Sequence, residues 1–371
     1  MIKRLGQIFL GLSGLAVAAW LLPALYELAT IRPEGTPFTL YSPVVHDFTA
    51  MAESDRELRF TDRKGRVYGD TVQPLFYASL LASKGTLPDS LDGVALSLEE
   101  IERHFVIASS DPADVNLTLP PVWPLMESTP LRLELREPTE AMVSRRDRID
   151  IYDMNGNALE EAKTQQLRCA LAACGFAYPA RLFAGRPTDR KDYDEGYLVT
   201  DARDELFQIK QVDGQMTVRH FPEAASWHPR YLMITEFDDH ATLGYLVSAD
   251  GCLLMLTPDG SVIPTGVPFS PETDDFLLIG DLLYYTVKTS TSAGEHFYAL
   301  RADDFSIIAT MDRPYGPERQ NLCRWFLPFR LQFTAPTDSW VRPRLSDFSW
   351  IGLLVDAVLL LALLLIRKRN R

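Results

Sequence analysis

Tyr197-Leu198-Val199-Thr200 returns 48 residues later as Tyr245-Leu246-Val247-Ser248. Leu206-Phe207-Gln208-Ile209 likewise returns as Leu253-Leu254-Met255-Leu256, and again as Phe297-Tyr298-Ala299-Leu300. Each copy of this second run is followed by an acidic turn: Asp213-Gly214, Asp259-Gly260 and Asp303-Asp304. Asp-Gly between apolar runs marks a tight hairpin, because glycine reaches positive φ without steric cost. Several short strands in each period of ~45 residues is the spacing of propeller blades. Three copies do not close a ring. Two hairpin patterns upstream, Asp62-Arg63-Lys64-Gly65 between Leu58–Phe60 and Arg66–Tyr68, and Asn155-Gly156 within Ile149–Asn157, could supply further blades, as could Leu331–Phe333. A plain antiparallel sheet or sandwich would produce the same hairpins and stays open as the alternative.

Working toward the N-terminus, the pattern becomes mixed. Phe38 to Val45 alternates loosely, as a strand does. Pro74 opens a helical run through Leu75, Phe76, Leu80 and Leu81, and Gly85 closes it. Ser97-Leu98-Glu99-Glu100 is a capping box that predicts a short helix toward Phe105. Residues 108–130 are proline-rich and are expected to be irregular, and Ala158 to Ala173 predicts a third helix stopped by Gly175.

The two ends are apolar. Ile8 to Tyr26 carries no charge, and nineteen helical residues at ~1.5 Å each give ~28 Å, close to the ~30 Å hydrocarbon layer of a bilayer. Trp20 and Tyr26 lie toward its outer end, where interfacial aromatics belong, with Pro23 near the helix end. Lys3, Arg4 and Ala16-Val17-Ala18 also fit a cleavable signal peptide, but the apolar run continues past Ala18, which favours an uncleaved anchor. Phe348 to Ile366 forms a second candidate span, followed at once by Arg367-Lys368-Arg369-Asn370-Arg371. Basic flanks stay inside. The expected topology therefore has both termini cytoplasmic and residues 30–347 outside the inner (cell) membrane, in the periplasm of a Gram-negative cell. Asp356 is the one charge well within a span, and a carboxylate at that depth is by default a functional hypothesis: it could pair with a cationic group on a partner helix, stay protonated, or meet water near the outer face. Gly11, Gly14 and Ala18 make a small-residue face suited to close helix packing.

The predicted fold class is thus α+β and membrane-anchored, with terminal transmembrane helices flanking an extracytoplasmic domain that has a small helical part and a β-rich, propeller-like part. Its divisions are a 1–29 anchor, a mixed α/β region at 30–195, a β-rich region at 196–345, and the C-terminal helix and basic tail at 346–371.

The net charge is −13; without the tails and apolar segments the middle carries about −17. That excludes nucleic-acid binding, which needs a concentrated basic patch. Cys169 and Cys174 are five apart on a predicted helix, hence on different faces, and are expected to be buried thiols. Cys252 and Cys323 could pair in an oxidising compartment.

No metalloprotease, nucleophile-elbow, P-loop or dinucleotide-binding pattern occurs, and the six histidines lack zinc spacing. The best local cluster is Glu236-Phe237-Asp238-Asp239-His240. Hard oxygens plus imidazole could hold a divalent cation, yet the same residues describe a solvated turn, the reading preferred here. Asp192 to Gly196 is a second acidic turn, expected at the surface. His46-Asp47 is a possible acid–base pair of low specificity, and Arg186, Arg190 and Lys191 are expected to form internal salt bridges rather than grip an anion. No catalytic residue, cofactor or metal is assigned.

Several stretches together carry a resemblance: Tyr41-Ser-Pro-Val-Val-His-Asp-Phe48, Leu87-Pro-Asp-Ser-Leu-Asp-Gly93, Pro124-Leu-Met-Glu-Ser128, Gly185-Arg-Pro-Thr-Asp-Arg-Lys191, Asp194-Glu-Gly-Tyr-Leu-Val199 and Leu327-Pro-Phe-Arg330. Through them the chain resembles, nearly end to end, a bacterial domain-of-unknown-function family of two-span membrane proteins. The resemblance implies an anchor at each end and a partner, because members are often encoded beside the ATPase and permease of an ABC-type transporter. It supplies no catalytic residues. The expected function is a non-enzymatic accessory subunit docked on such a permease through its two helices in the lipid bilayer, with Asp356 at the contact. An envelope sensor or ligand-binding module is the alternative; a periplasmic hydrolase using His46, Asp47 or His240 stands third.

Overall fold

The computed structural model describes residues 2–30, 36–54, 57–69, 75–128, 135–315 and 322–369. Two compact units emerge: Met1–Thr36 with Pro112–Leu117 and Tyr315–Arg371, and Pro37–Asp111 with Thr118–Pro314. They are called the terminal unit and the sheet unit below.

The sheet unit is mostly β. Sheet one runs β1 (Thr39–Ser42), β2 (Asp47–Ser54), β3 (Glu57–Asp62) and β4 (Val67–Tyr68) in that order. A small hairpin, β5 (Ser90–Leu91) with β6 (Val94–Ala95), and the strand β7 (Val106–Ser110) follow. Sheet two comprises β8 (Val122–Leu125), β9 (Glu140–Ser144), β10 (Ile149–Asp153) and β11 (Ala158–Leu159). Sheet three comprises β12 (Phe183–Gly185), β13 (Tyr197–Thr200), β14 (Leu206–Val212) and β15 (Gln215–Phe221); sheet four β16 (Tyr231–Ile234), β17 (Gly244–Val247), β18 (Cys252–Leu256) and β19 (Val262–Pro268). Sheet five comprises β20 (Asp275–Gly280), β21 (Tyr284–Ser290), β22 (Gly294–Arg301) and β23 (Ile307–Pro314), with β7 added beside β20.

Each sheet is a four-stranded antiparallel meander, the topology of a propeller blade. The sequence repeat is therefore structural. Its first motif is the second strand of sheets three and four, and its second motif is the third strand of sheets three, four and five. All three acidic turns join third strand to fourth. In sheet three Val212 pairs with Gln215, and the two residues between them, Asp213 (φ 51°) and Gly214 (φ 71°), both take positive φ, as a type I′ hairpin requires. The upstream hairpins at Asp62–Gly65 and Met154–Asn157 make the same connection in sheets one and two. Leu331–Phe333 supplies no blade: β24 (Arg330–Gln332) pairs only with β25 (Arg344–Ser346), in the terminal unit.

Face-to-face packing explains why β13 and β17 read as unbroken apolar runs, since strands covered on both faces have no polar side to present; both are buried throughout. Met142 and Ile151 of sheet two meet Phe207 and Ile209 of sheet three across α5 (Glu161–Ala173), which contributes Leu167 and Leu171. Leu198 and Leu206 meet Leu246 and Leu254 between sheets three and four. Tyr245 and Met255 meet Leu278 and Val287 between sheets four and five, joined by Val106 and Ala108 of β7. Sheet one packs on sheet five through Tyr41, Phe48, Phe297 and Ala299.

The helices are accessory. α2 (Ala78–Ser83) precedes Gly85 at φ 66°; Pro74 lies outside the described residues. α3 (Leu98–Arg103) is capped as expected, with the Glu100 amide donating to Ser97 Oγ at 3.2 Å. α5 begins three residues later than expected, because Ala158 and Leu159 pair with Asp153 and Tyr152 instead. It ends with the Phe176 amide on the Leu171 carbonyl and the Gly175 amide on the Ala172 carbonyl, the paired bonds of a Schellman motif.

Other expectations need correction. Of the stretch expected to be irregular, the described residues 108–128 contain the end of β7, the short α4 (Pro112–Val115) and β8; Pro124 sits in β8 because that strand is the edge of sheet two, where a missing N–H is tolerated. The division at 195/196 falls between β12 and β13, which pair within one sheet. Cys169 is exposed rather than buried, Cys174 is half-buried beside the Val218 carbonyl, and Cys252 and Cys323 are not joined in a disulfide.

One turn carries a testable charge. Asp281, after β20, accepts from the Leu283 and Tyr284 amides at 2.8 and 3.0 Å, yet burial outweighs those bonds and its pKa is pushed up to about 6. A carboxyl whose folded pKa is raised binds its proton more tightly folded than unfolded, so stability falls as pH rises from about 4 to about 6. Asp281→Asn keeps the acceptor and loses the charge. It is expected to stabilise the chain by roughly 1–3 kcal/mol at pH 7.5 and by little at pH 4, read by denaturant unfolding of the detergent-solubilised chain.

In the terminal unit, α1 (Ile2–Thr30) includes a 22-residue apolar stretch, Phe9–Thr30, of mean hydropathy 1.8. The helix continues past the expected Tyr26 limit and contains Pro23 internally. α6 (Trp350–Arg369) runs into the basic residues. Arg330 grips Glu27 with both terminal nitrogens, and the Phe333 ring meets Trp20 edge-on at 5.9 Å. Gly352 abuts the chain at Leu327: a Cβ there would lie 2.2 Å from the Leu327 carbonyl oxygen.

Candidate functional site

The most heavily charged buried locus in the sheet unit lies where two equivalent loops meet. One joins β12 to β13, the other β16 to β17; both are first-to-second strand connections, on neighbouring sheets. Lys191 comes from the first loop, with Asp194 three residues on, and Glu236 comes from the second. Their side chains are 2%, 3% and 0% exposed. Lys191 Nζ lies 2.5 Å from Asp194 Oδ1, 2.6 Å from Glu236 Oε1 and 2.7 Å from the Arg186 carbonyl oxygen. An ammonium has three protons to donate, and all three are placed.

The carboxylates are held from the other side. Asp194 Oδ2 accepts from Ser128 Oγ at 2.5 Å and from the Gly196 amide at 3.0 Å. Glu236 Oε1 also accepts from the Glu195 amide at 2.8 Å, while Oε2 is buried with no partner. One cation faces two carboxylates, so the locus is one negative charge in excess. Burial pushes the Glu236 carboxyl above its ordinary range, against the opposing pull of Lys191 and the Glu195 amide. Tyr193 donates to the Phe237 carbonyl at 2.8 Å and its ring lies tilted against that of His240, with ring centres 4.2 Å apart. Tyr197 donates to the Pro124 carbonyl at 2.6 Å. Burial raises both phenols.

None of these charged groups is presented to solvent, so none can act as nucleophile or general base on an external substrate. What the arrangement does is fasten three segments: Ser128 just after β8 of sheet two, the loop of sheet three and the loop of sheet four.

The sequence cluster is dispersed. Glu236 turns inward to Lys191; Asp238 is exposed; Asp239 Oδ1 accepts from the Ala241 amide at 3.0 Å; and His240 is exposed at φ 50° with its amide on the Phe237 carbonyl. Among the described residues no group of three His, Cys, Asp or Glu side chains is placed to hold a metal ion. Of the Asp192–Gly196 turn, expected at the surface, Asp192 is exposed, whereas Asp194 and Gly196 are buried in the locus. Lys191 does make the internal salt bridges expected of it. His46 and Asp47 diverge: His46 Nε2 lies 3.7 Å from Asp92, and Asp47 receives Arg63. Asp356 of α6 is half-exposed, with no hydrogen bond or ion pair among the described residues.

A cleft of about 380 Å³ opens between sheets four and five, lined by Arg230, Asp274, His296 and Tyr298. Its arginine is already engaged by Glu272 and by the Ser248 and Phe269 carbonyls, and His296 by Asp312.

The repeated four-stranded meanders define a propeller-like β protein. The chain belongs to a domain family of unknown function, DUF4857, whose match spans residues 38–300, from β1 through nearly all of β22. Among solved structures it is similar to one described as "Structure of Dos1 propeller", at 11% identity and TM-score 0.30, covering 76% of this chain and 62% of that one. It is also similar to "Dihydro-heme d1 dehydrogenase NirN in complex with DHE", at 10% identity and TM-score 0.26, covering 84% of this chain and 62% of that one. The chain thus spans about three-fifths of the length of these two structures. No curated protein matches it.

Proposed function

We propose that this chain is a non-enzymatic accessory subunit of an ABC-type membrane transport complex. In this reading α1 and α6 lie in the inner membrane and residues 30–347 lie on its periplasmic side. One observation carries the proposal: α6 presents Asp356 among the exposed apolar residues Leu353, Leu354 and Val358, with no partner among the described residues. Asp356 lies six residues into α6, ~9 Å along the helix, and a lone carboxylate within the hydrocarbon costs up to about 2.5–3.5 kcal/mol, the value at the bilayer centre. A cationic or hydrogen-bonding group on a permease helix would remove that cost. The inward-facing ion pairs of the sheet unit suit a rigid scaffold.

The test is recovery of partners from native membranes in mild detergent with a tagged full-length chain. The permease and ATPase are expected to co-purify with the wild type. Asp356→Leu is expected to lower their recovery about tenfold, the equivalent of ~1.4 kcal/mol, with its own membrane yield unchanged. Recovery of the wild type alone would overturn the proposal.

A further inference from the structure

Every exposed Phe, Tyr and Trp among the described residues belongs to the terminal unit. The sheet unit exposes a few valines, leucines, isoleucines and a methionine, but no aromatic ring counts among its exposed large side chains. Between residues 322 and 350, by contrast, Trp325, Phe326, Phe333, Trp340, Phe348 and Trp350 are all exposed. A water-facing segment has no reason to collect rings in this way, and an apolar patch so concentrated marks a contact surface.

Composition and position identify what the surface meets. The segment carries Arg324, Arg330, Arg342 and Arg344 against Asp338 and Asp347, in a chain of net charge −13; Arg330 is paired with Glu27, and Arg342 and Arg344 with Asp338. Basic residues interleaved with tryptophan suit the headgroup zone, where an indole buries its ring and keeps its N–H wet. The segment is also tied to the candidate span. Arg330 holds Glu27 and Phe333 meets Trp20 on α1, so β24 lies along the last third of that helix. At the other end Gly352 brings the start of α6 against Leu327. α1 is 29 residues long, so at ~1.5 Å per residue it spans ~43 Å and exceeds a ~30 Å hydrocarbon layer. Its outer turns therefore stand at headgroup level, with β24 beside them.

We propose that Leu322–Trp350 is a lipid-interface platform, its aromatic side chains seated at the headgroup–acyl boundary of the outer leaflet. This rests on the membrane reading of α1 and α6 given above.

The experiment uses the full chain in vesicles of phosphatidylcholine and phosphatidylglycerol, with bromine atoms carried on the acyl chains either just below the headgroup or near the chain end. Four of the six tryptophans, Trp20, Trp325, Trp340 and Trp350, would face lipid, whereas Trp123 and Trp227 lie in the sheet unit. Shallow bromines are expected to quench more strongly than deep ones, and Trp325→Phe/Trp340→Phe is expected to remove about half of the shallow quenching. Phenylalanine keeps the apolar contact, and circular dichroism of the double variant matching the wild type shows that the fold is kept. Quenching unchanged in the double variant, with Trp20 and Trp350 still quenched, would overturn the platform and leave the anchors standing. Absence of quenching at every position would overturn the anchors as well.

Discussion

Lys191→Met should destabilise the sheet unit by about 3–5 kcal/mol, the cost of breaking a buried ion pair by removing one partner. Among the described residues Lys191 is the sole cation touching Asp194 and Glu236, and all three side chains are essentially sealed from water. Without it two carboxylates remain buried together, and one must take a proton or the loops must open. Glu236 is the one to protonate, because burial already raises its pKa and its Oε2 has no donor. A raised carboxyl pKa favours the folded state at low pH, so the penalty should be smaller at pH 5 than at pH 8. Adding Glu236→Gln to Lys191→Met should recover part of the loss, since the excess charge goes. Denaturant unfolding followed by tryptophan fluorescence measures all three variants. A Lys191→Met loss under 1 kcal/mol would show that the locus contributes little.

The second large effect sits five residues away. Gly196 has φ 68°, and a Cβ built on it would lie 2.2 Å from the Ile209 carbonyl oxygen and 3.1 Å from Lys210 Cα. The obstacle is the backbone of β14, paired with β13 through Tyr197 and Ile209, so it cannot swing aside as a side chain would. Gly196→Ala is expected to cost more than ~3 kcal/mol, of which left-handed φ accounts for only ~1. It would also dislodge the Gly196 amide from Asp194 Oδ2. Gly175→Ala is the control: φ is 79° there, but no atom lies within 4 Å of the added Cβ, so a loss near ~1 kcal/mol is expected. Equal losses in the two variants would remove the steric argument.

The blades were legible where local chemistry repeats. Asp213-Gly214 and Asp62 to Gly65 announce their hairpins because a tight turn demands positive φ at fixed positions, and β13 and β17 announce burial on both faces by carrying no polar alternation. β8 was hidden because prolines mask an edge strand, and β11 because Ala158-Leu159 continues smoothly into the helical pattern of α5. The Lys191–Glu236 pair was invisible as a local motif, being 45 residues apart. Both residues occupy the loop preceding the Tyr-Leu-Val strand, but the 48-residue period sets Lys191 opposite Asp239, so the repeat does not single out the pair. Glu236 to His240 is a turn, as preferred from the sequence, and in a tight turn consecutive side chains diverge, so that Glu236 alone reaches the buried locus while Asp238 and His240 are exposed.

The placement of β7 bears on how the protein is made. Its partner in sheet five begins at Asp275, and Ser110 pairs with Phe276, so the ribosome must add some 165 residues after β7 before its mate exists. At ~5–20 residues per second that interval is roughly 10–30 s. Through it Val106 and Ala108, destined for the core, stay uncovered along an unpaired strand, a ready template for joining to the wrong chain. A nascent polypeptide of this kind has to be shielded from its neighbours until sheet five emerges, and any product released before Asp275 is translated would keep that adhesive edge for good.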